Sequence, residues 1–351
     1  SKFGAPTVFY DAEENVSRED FLRTMYRFDD ANQGQFLGTF SLRTDRFYDS
    51  TMTRLYYYHG SARTPSPVVL DWEQREVQTQ GGGSTVVPAN PQGERTFVRT
   101  FDNMSAAEAY VEEDGTAQIG GVGGLPPRRV EALEHYRLVH VSDTSANNQI
   151  LRTAGRDARV AGVNPQATVP ANPGWVKTFE RVPGATVEGS NAPANATVTA
   201  STELRIPNSN ATFTYTQQAE TNSDGQFEMT LPYATTGYDE YGPESGYTNV
   251  SVRATGPYTI GTPASLNETG SIVSYRANVS VPEGQVNGDG DGTVSVELER
   301  NAQELALGGG SDDSGSDDGS GSDGGSGDGS GSDAQPTLRD PAVVIDAARA
   351  S

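Results

Sequence analysis

The feature that most limits how this chain can fold is a change of hydrophobic period at Trp175–Ala185, WVKTFERVPGA. Downstream of it, short segments alternate apolar and polar residues between turn formers, which is the spacing of half-buried strands. The alternation predicts strands over 177–182, 196–206, 211–217, 226–231, 248–254, 271–281 and 293–299. Within 196–206, Val198, Ala200, Thr202, Leu204 and Ile206 share one face, as every second residue of a strand does. Asn222-Ser223-Asp224-Gly225 supplies a hairpin turn. Regular short strands of this kind imply an antiparallel β-sandwich-like domain over 175–300.

Upstream the pattern is mixed. Helices are expected over Ser17–Phe28, with Ser17 and Asp20 as a capping box, over 45–59 with Gly60 as its stop, and over Ser105–Glu113. The aromatics Phe47, Tyr48, Tyr56, Tyr57 and Tyr58 fall at helical spacing and read as core. Residues 61–95, with Pro65, Pro67, Gly81–Gly83, Pro88 and Pro91, read as a loop-rich insertion holding one strand at Val68–Trp72. Another strand is expected at Thr96–Phe101. Glu131–Asp143, EALEHYRLVHVSD, reads as a buried strand answered by Trp175–Ala185. The fold class is therefore α+β: a mixed α/β core at 1–174, the β-sandwich-like domain at 175–300, a disordered acidic Gly/Ser/Asp linker at 301–340 and a short segment at 341–351. Residues 308–333 contain only Gly, Ser and Asp and have nothing apolar to bury.

Charge narrows the setting. The formal net charge is −22, and removing 308–333 with its seven Asp still leaves about −15. Lys2 and Lys177 are the only lysines. Many carboxylates with almost no Lys suit a protein working in concentrated salt, where a Debye length of roughly 3 Å screens self-repulsion. An ordinary acidic secreted protein is the alternative. Either way the surface repels nucleic acid. There is no Cys, so thiol chemistry and disulfides are excluded. The abrupt start at Ser1-Lys2-Phe3 reads as a piece of a longer protein.

Catalytic patterns are scarce. His135 and His140 point to opposite sides of a regular strand and cannot share a metal, and His59 lies on a helix. The run Asn287-Gly-Asp289-Gly-Asp291-Gly matches the first half of a Ca²⁺ loop, but Leu298 stands where the bidentate Glu is expected. A plain turn is the competing reading. Seven Asn-x-Ser/Thr triplets begin at Asn15, Asn103, Asn195, Asn210, Asn249, Asn267 and Asn278, which favours an extracytoplasmic location.

Glu134–Ser142 (EHYRLVHVS) and Val176–Ala185 (VKTFERVPGA), with SKFGAPTVFYD at the start and RLYYYHGSA at 54–62, resemble segments of the archaeal oligosaccharyltransferase catalytic subunit in a haloarchaeal form. The resemblance covers roughly residues 1–185 in separated blocks. It implies a parent with its own N-terminal membrane domain and this part on the extracytoplasmic side of the cell membrane. It also implies transfer of a glycan from a dolichyl-phosphate-linked oligosaccharide to Asn in an acceptor polypeptide, with Mn²⁺ or Mg²⁺. The family's Trp-Trp-Asp-Tyr-Gly motif and its metal-binding carboxylates are absent, so the resemblance places no catalytic residue in this chain and leaves Lys2 bordering the acceptor pocket. The chain alone is expected to be inactive. The rival reading is a secreted or S-layer-like surface protein with a structural or adhesive role.

Overall fold

A computed structural model describes residues 17–79, 81–94, 96–144, 155–156, 158–163, 174–267, 270–290 and 293–304. Strands dominate and helices are few. The first surprise is at the start. The helix expected over Ser17–Phe28 is a strand, Leu22–Asp29, paired antiparallel with Gln35–Arg43. Ser17 and Asp20 do meet, since the Ser17 N–H donates to Asp20 Oδ2 at 2.6 Å, but they close a single turn before the strand begins. Leu22, Met25 and Phe28 are buried in three different clusters, Leu22 and Met25 on opposite faces of a regular ladder, so the strand is covered on both sides. Burial three residues apart imitates one face of a helix.

The rest of the "insertion" at 61–95 is also sheet. Glu73–Gln78 and Ser84–Ala89 form a hairpin, closed where the Thr79 N–H donates to Gly83 O. The four-stranded order is Gln35–Arg43, Leu22–Asp29, Ser84–Ala89, Glu73–Gln78, with a parallel contact at Tyr26 and Ala89. Val68–Leu70 lies between Val98–Thr100 and Gln118–Ile119 in a separate small sheet.

The expected helix over 45–59 is two helices, Asp45–Asp49 and Thr51–Tyr58. Ser50 breaks them with extended ψ, and its Oγ accepts from the Thr53 N–H, so it caps the second. That helix ends on His59 itself, at φ 55°, one residue before Gly60. Phe47, Tyr48, Tyr56, Tyr57 and Tyr58 are buried in one cluster, as expected of core. The third helix, Met104–Asp114, is capped by Asn103 rather than Ser105: Asn103 Oδ1 accepts from the Ala106 N–H at 2.9 Å.

Two compact units divide the chain. The larger comprises 1–262 with 276–299; the smaller comprises 263–275 with 300–351. The 174/175 division lies inside the larger unit, where Tyr136–Val141 pairs antiparallel with Lys177–Arg181, as the two stretches predict. A bulge between Leu138 and His140 interrupts the alternation, burying Leu138 and Val139 in succession.

Also in the larger unit, Ala185–Ser190 sits between Phe227–Leu231, antiparallel, and Thr293–Glu297, parallel. That parallel pair departs from an all-antiparallel arrangement, because the returning chain passes through the helix Glu283–Asn287 instead of a hairpin. Thr197–Ile206 pairs with Ala211–Glu220 over ten residues, and its expected face (Val198, Ala200, Thr202, Leu204, Ile206) is buried throughout. Tyr258–Gly261 flanks it on the other side. The strand expected over 248–254 shrinks to Arg253–Ala254. In the smaller unit, Ser265–Leu266 folds back on Ile272 and Val273. The strand Glu299–Glu304 runs past 301, into the range expected of the linker. Residues 305–351 lie outside the described residues.

One glycine carries a testable packing constraint. Gly189 faces Phe227 across the ladder, and a Cβ there would sit 1.9 Å from Phe227 Cζ. Gly189→Ala should destabilise the fold by about 1–3 kcal/mol through overpacking, read as a lowered thermal midpoint at constant salt.

Candidate functional site

Three of the four segments that carry the family resemblance meet in space, and the fourth, at 1–11, lies outside the described residues. Leu138 N–H donates to the Tyr233 hydroxyl oxygen at 2.8 Å, and that hydroxyl donates to His59 O at 3.3 Å. Lys177 Nζ donates to Tyr56 O and to His59 Nε2, both at 2.7 Å, and lies 4.4 Å from the Tyr56 ring centroid. Residues of 54–62, 134–142 and 176–185 therefore share one hydrogen-bonded node.

His59 is 1% exposed and packs on Phe213 at 4.3 Å between centroids. Burial, then the positive charges of Lys177 and Arg63, push its pKa well below the ordinary 6.5. A neutral ring that accepts at Nε2 must carry its proton on Nδ1. Tyr56, whose hydroxyl donates to Gly174 O, is pushed up to about 12 by burial and then by Tyr57. Neither group is poised for proton transfer near neutrality. The node holds geometry.

A second buried arrangement lies along the same strand. Arg137 is 1% exposed; its Nη1 reaches Glu283 Oε1 at 2.7 Å and its Nε donates to Glu180 Oε2 at 2.8 Å. Its Nη2 also donates to Asn287 Oδ1 at 3.4 Å. Glu283 is likewise 1% exposed, and the other oxygen of Glu180 accepts from Thr248. One guanidinium thus ties Tyr136–Val141 and Lys177–Arg181 to the helix Glu283–Asn287. Sequence reading passed over Arg137 and Glu283. The available signal was an Arg on the same strand face as Val139 and Val141.

The other expected positions scatter. Lys2, Asn15 and Asp291 lie outside the described residues. Asn287 turns its carbonyl to Arg137 and donates from Nδ2 to Glu283, while the Asp289 carboxylate accepts from the Tyr247 hydroxyl. A guanidinium at Asn287 Oδ1 opposes a cation there, and among the described residues no three His, Asp or Glu side chains gather to hold a metal. His135 and His140 are both exposed and share nothing; His135 Nδ1 contacts Pro183 O at 2.8 Å.

The triplet asparagines are accessible: Asn103, Asn195, Asn210, Asn249 and Asn278 are exposed and Asn267 is half-buried. Two open grooves lie on the larger unit. One of about 540 Å³ is lined by Glu188, Glu220, Asn222, Gln226 and Glu228. The other, about 320 Å³, is bordered by Tyr238, Tyr241, Asn249 and Arg253.

Comparison with known proteins agrees with the resemblance. Residues 184–293 match the family described as archaeal glycosylation protein B, long peripheral domain. The dolichyl-monophosphooligosaccharide–protein glycotransferase AglB of Haloferax volcanii is 56% identical over 315 residues, covering 89% of this chain and 29% of that protein. The chain thus spans less than a third of that relative's length. A crystal structure of the Archaeoglobus fulgidus oligosaccharyltransferase with Zn and sulfate aligns at 20% identity over 66% of this chain and 29% of its own, with a TM-score of 0.34. The same enzyme tethered to an acceptor peptide containing the NVT sequon aligns at 15% identity over 80% and 28%, with a TM-score of 0.38. Residues 184–293 thus match the archaeal glycosylation protein B long peripheral domain, and 89% of the chain is similar to a part of the Haloferax volcanii glycotransferase AglB.

Proposed function

We propose that this chain is the extracytoplasmic scaffold of an oligosaccharyltransferase. The parent enzyme would move a glycan from a dolichyl-phosphate-linked carrier to Asn in Asn-x-Ser/Thr. The observation that carries this reading is the 56% identity to a dolichyl-monophosphooligosaccharide–protein glycotransferase over 89% of the chain. A surface-layer role leaves that identity without a reason.

The geometry supports a scaffold rather than a chemical centre. The buried Arg137 and Glu283 pair with one another, and His59 is held neutral. In this reading Mn²⁺ or Mg²⁺ belongs to residues outside the chain, together with the acceptor-gripping motif. Lys2 borders the acceptor pocket, where an ammonium group can orient the Ser/Thr hydroxyl of the triplet. Residues 1–174 form the part nearest that pocket and 175–300 a β-sandwich-like module braced on it. In this reading the membrane contact falls to the parent's own N-terminal domain; no helix among the described residues is long and apolar enough to cross a bilayer.

The test compares full-length protein with the isolated chain for glycan transfer to an Asn-x-Thr peptide. Transfer is expected from the full-length protein alone.

A further inference from the structure

Asn249 borders a pocket whose walls have the chemistry of a sugar site. The 320 Å³ pocket is lined by Tyr238, Asp239, Tyr241, Glu244, Asn249 and Arg253, among others. Tyr241 packs edge-on against Tyr247 at 4.9 Å between centroids, and Tyr247 precedes Asn249 by two residues. The Tyr247 hydroxyl is tied to Asp289, which holds this aromatic pair in place. Arg253 lies over the Tyr238 ring at 4.8 Å, donates from Nε to Val250 O at 3.1 Å and comes within 3.9 Å of Asp239. Tyrosine rings suit the C–H faces of a pyranose. A guanidinium and two exposed carboxylates suit its vicinal hydroxyls, since one donates and the others accept in pairs.

The asparagine is also presented by an anchored backbone. Val250 and Val252 are buried, and both the N–H and the hydroxyl of Ser251 donate to Val139 O, at 3.0 and 2.7 Å. Asn249 itself is exposed and opens the triplet Asn249-Val250-Ser251.

We propose that Asn249 carries an N-linked glycan whose first sugars lie in this pocket, against Tyr241 and between Arg253 and Asp239. The inference rests on the functional reading above for its sugar donor. In the transfer, Asn249 Nδ2 gives up a proton and bonds the anomeric carbon. The bond from that carbon to the carrier phosphate breaks, and its electron pair leaves with the dolichyl-linked phosphate. Because Ser251 is engaged in the folded chain, attachment precedes closure of this segment. The seated sugar then stiffens 238–253 and covers its tyrosines.

Asn210 supplies an internal comparison. It is exposed at the tip of the hairpin between Ile206 and Ala211, with an exposed Thr212, and borders neither groove. Glycopeptide mass spectrometry on the full-length protein from the cells that make it should find Asn249 occupied. A bare Asn249 beside an occupied Asn210 or another occupied triplet overturns this site alone. Seven bare triplets overturn it together with the extracytoplasmic reading. Seating is tested by hydrogen exchange. Asn249→Gln should speed amide exchange across 238–253 roughly tenfold, the loss expected for one aromatic contact surface. Tyr241→Ala should do the same while Asn249 stays occupied. Unchanged exchange in both variants overturns the seated glycan.

Discussion

Arg137→Met should cost about 3–5 kcal/mol of stability, because it leaves a fully buried Glu283 carboxylate with no counter-charge. The loss should exceed that from any exposed ion pair of the chain. Arg99–Glu94, for example, spans 3.5 Å with both side chains more than 40% exposed, and pairs of that kind contribute roughly 0–1 kcal/mol. The attraction within the buried pair is offset by the desolvation of both charges, so removing both partners is far milder than removing one. Arg137→Met with Glu283→Met should therefore recover most of the single-variant loss, as a non-additive cycle. Denaturant midpoints followed by the fluorescence of Trp72 and Trp175 at high salt give the comparison. A single variant within about 0.5 kcal/mol of wild type would show that the guanidinium does not hold these elements together.

The second large effect is in pH. His59 remains neutral in the folded chain because burial, Lys177 and Arg63 all disfavour its protonation. In the unfolded chain it takes up a proton near its ordinary pKa of about 6.5. Below that pH the unfolded state binds one more proton than the folded state, so stability falls as pH falls, by up to about 1.4 kcal/mol per unit. The contribution is fully present above the unfolded pKa and is lost progressively beneath it, until the folded His59 itself titrates. The shifted carboxylates Asp20, Asp30 and Asp114 have pKa values lowered from 3.8 and act further down the scale. His59→Asn should flatten the slope between about pH 6.5 and 5, and Asn tolerates the left-handed backbone at this position. Equal slopes in variant and wild type would show that His59 is protonated in the folded protein.

Local period accounts for what could be read from the residues. Val198, Ala200, Thr202, Leu204 and Ile206 alternate over a whole strand, so their burial follows from spacing alone, whereas the turn at Asn222–Gly225, expected to close a hairpin, joins strands that pair in different sheets. The pairing of Tyr136–Val141 with Lys177–Arg181 was legible for the same reason. Leu22–Asp29 resembles a helix in sequence because it is covered on both faces, which leaves buried residues three apart, a spacing a helix also produces. Ala185–Ser190 was passed over: its middle holds Glu188 and Gly189, and its place depends on Phe227–Leu231 and Thr293–Glu297, far along the chain. Arg137 and Glu283 were invisible for that reason as well, since neither residue names its partner. His59, which the sequence places only on a helix, has a neutral, fully enclosed ring that fits a structural role. The node around it could be located only once the fold brought the resembling segments together.

In the proposed division of labour, this chain positions and the chemistry lies elsewhere in the parent protein. The most direct measurement is a side-by-side transfer assay at high salt, with a dolichyl-phosphate-linked glycan, a divalent metal and an Asn-x-Thr peptide. Full-length protein should glycosylate the peptide, should fail with a Gln-x-Thr control, and should lose activity when this chain is deleted. The isolated chain should transfer nothing. Glycan transfer by the isolated chain, or undiminished transfer by a parent lacking it, would contradict the account.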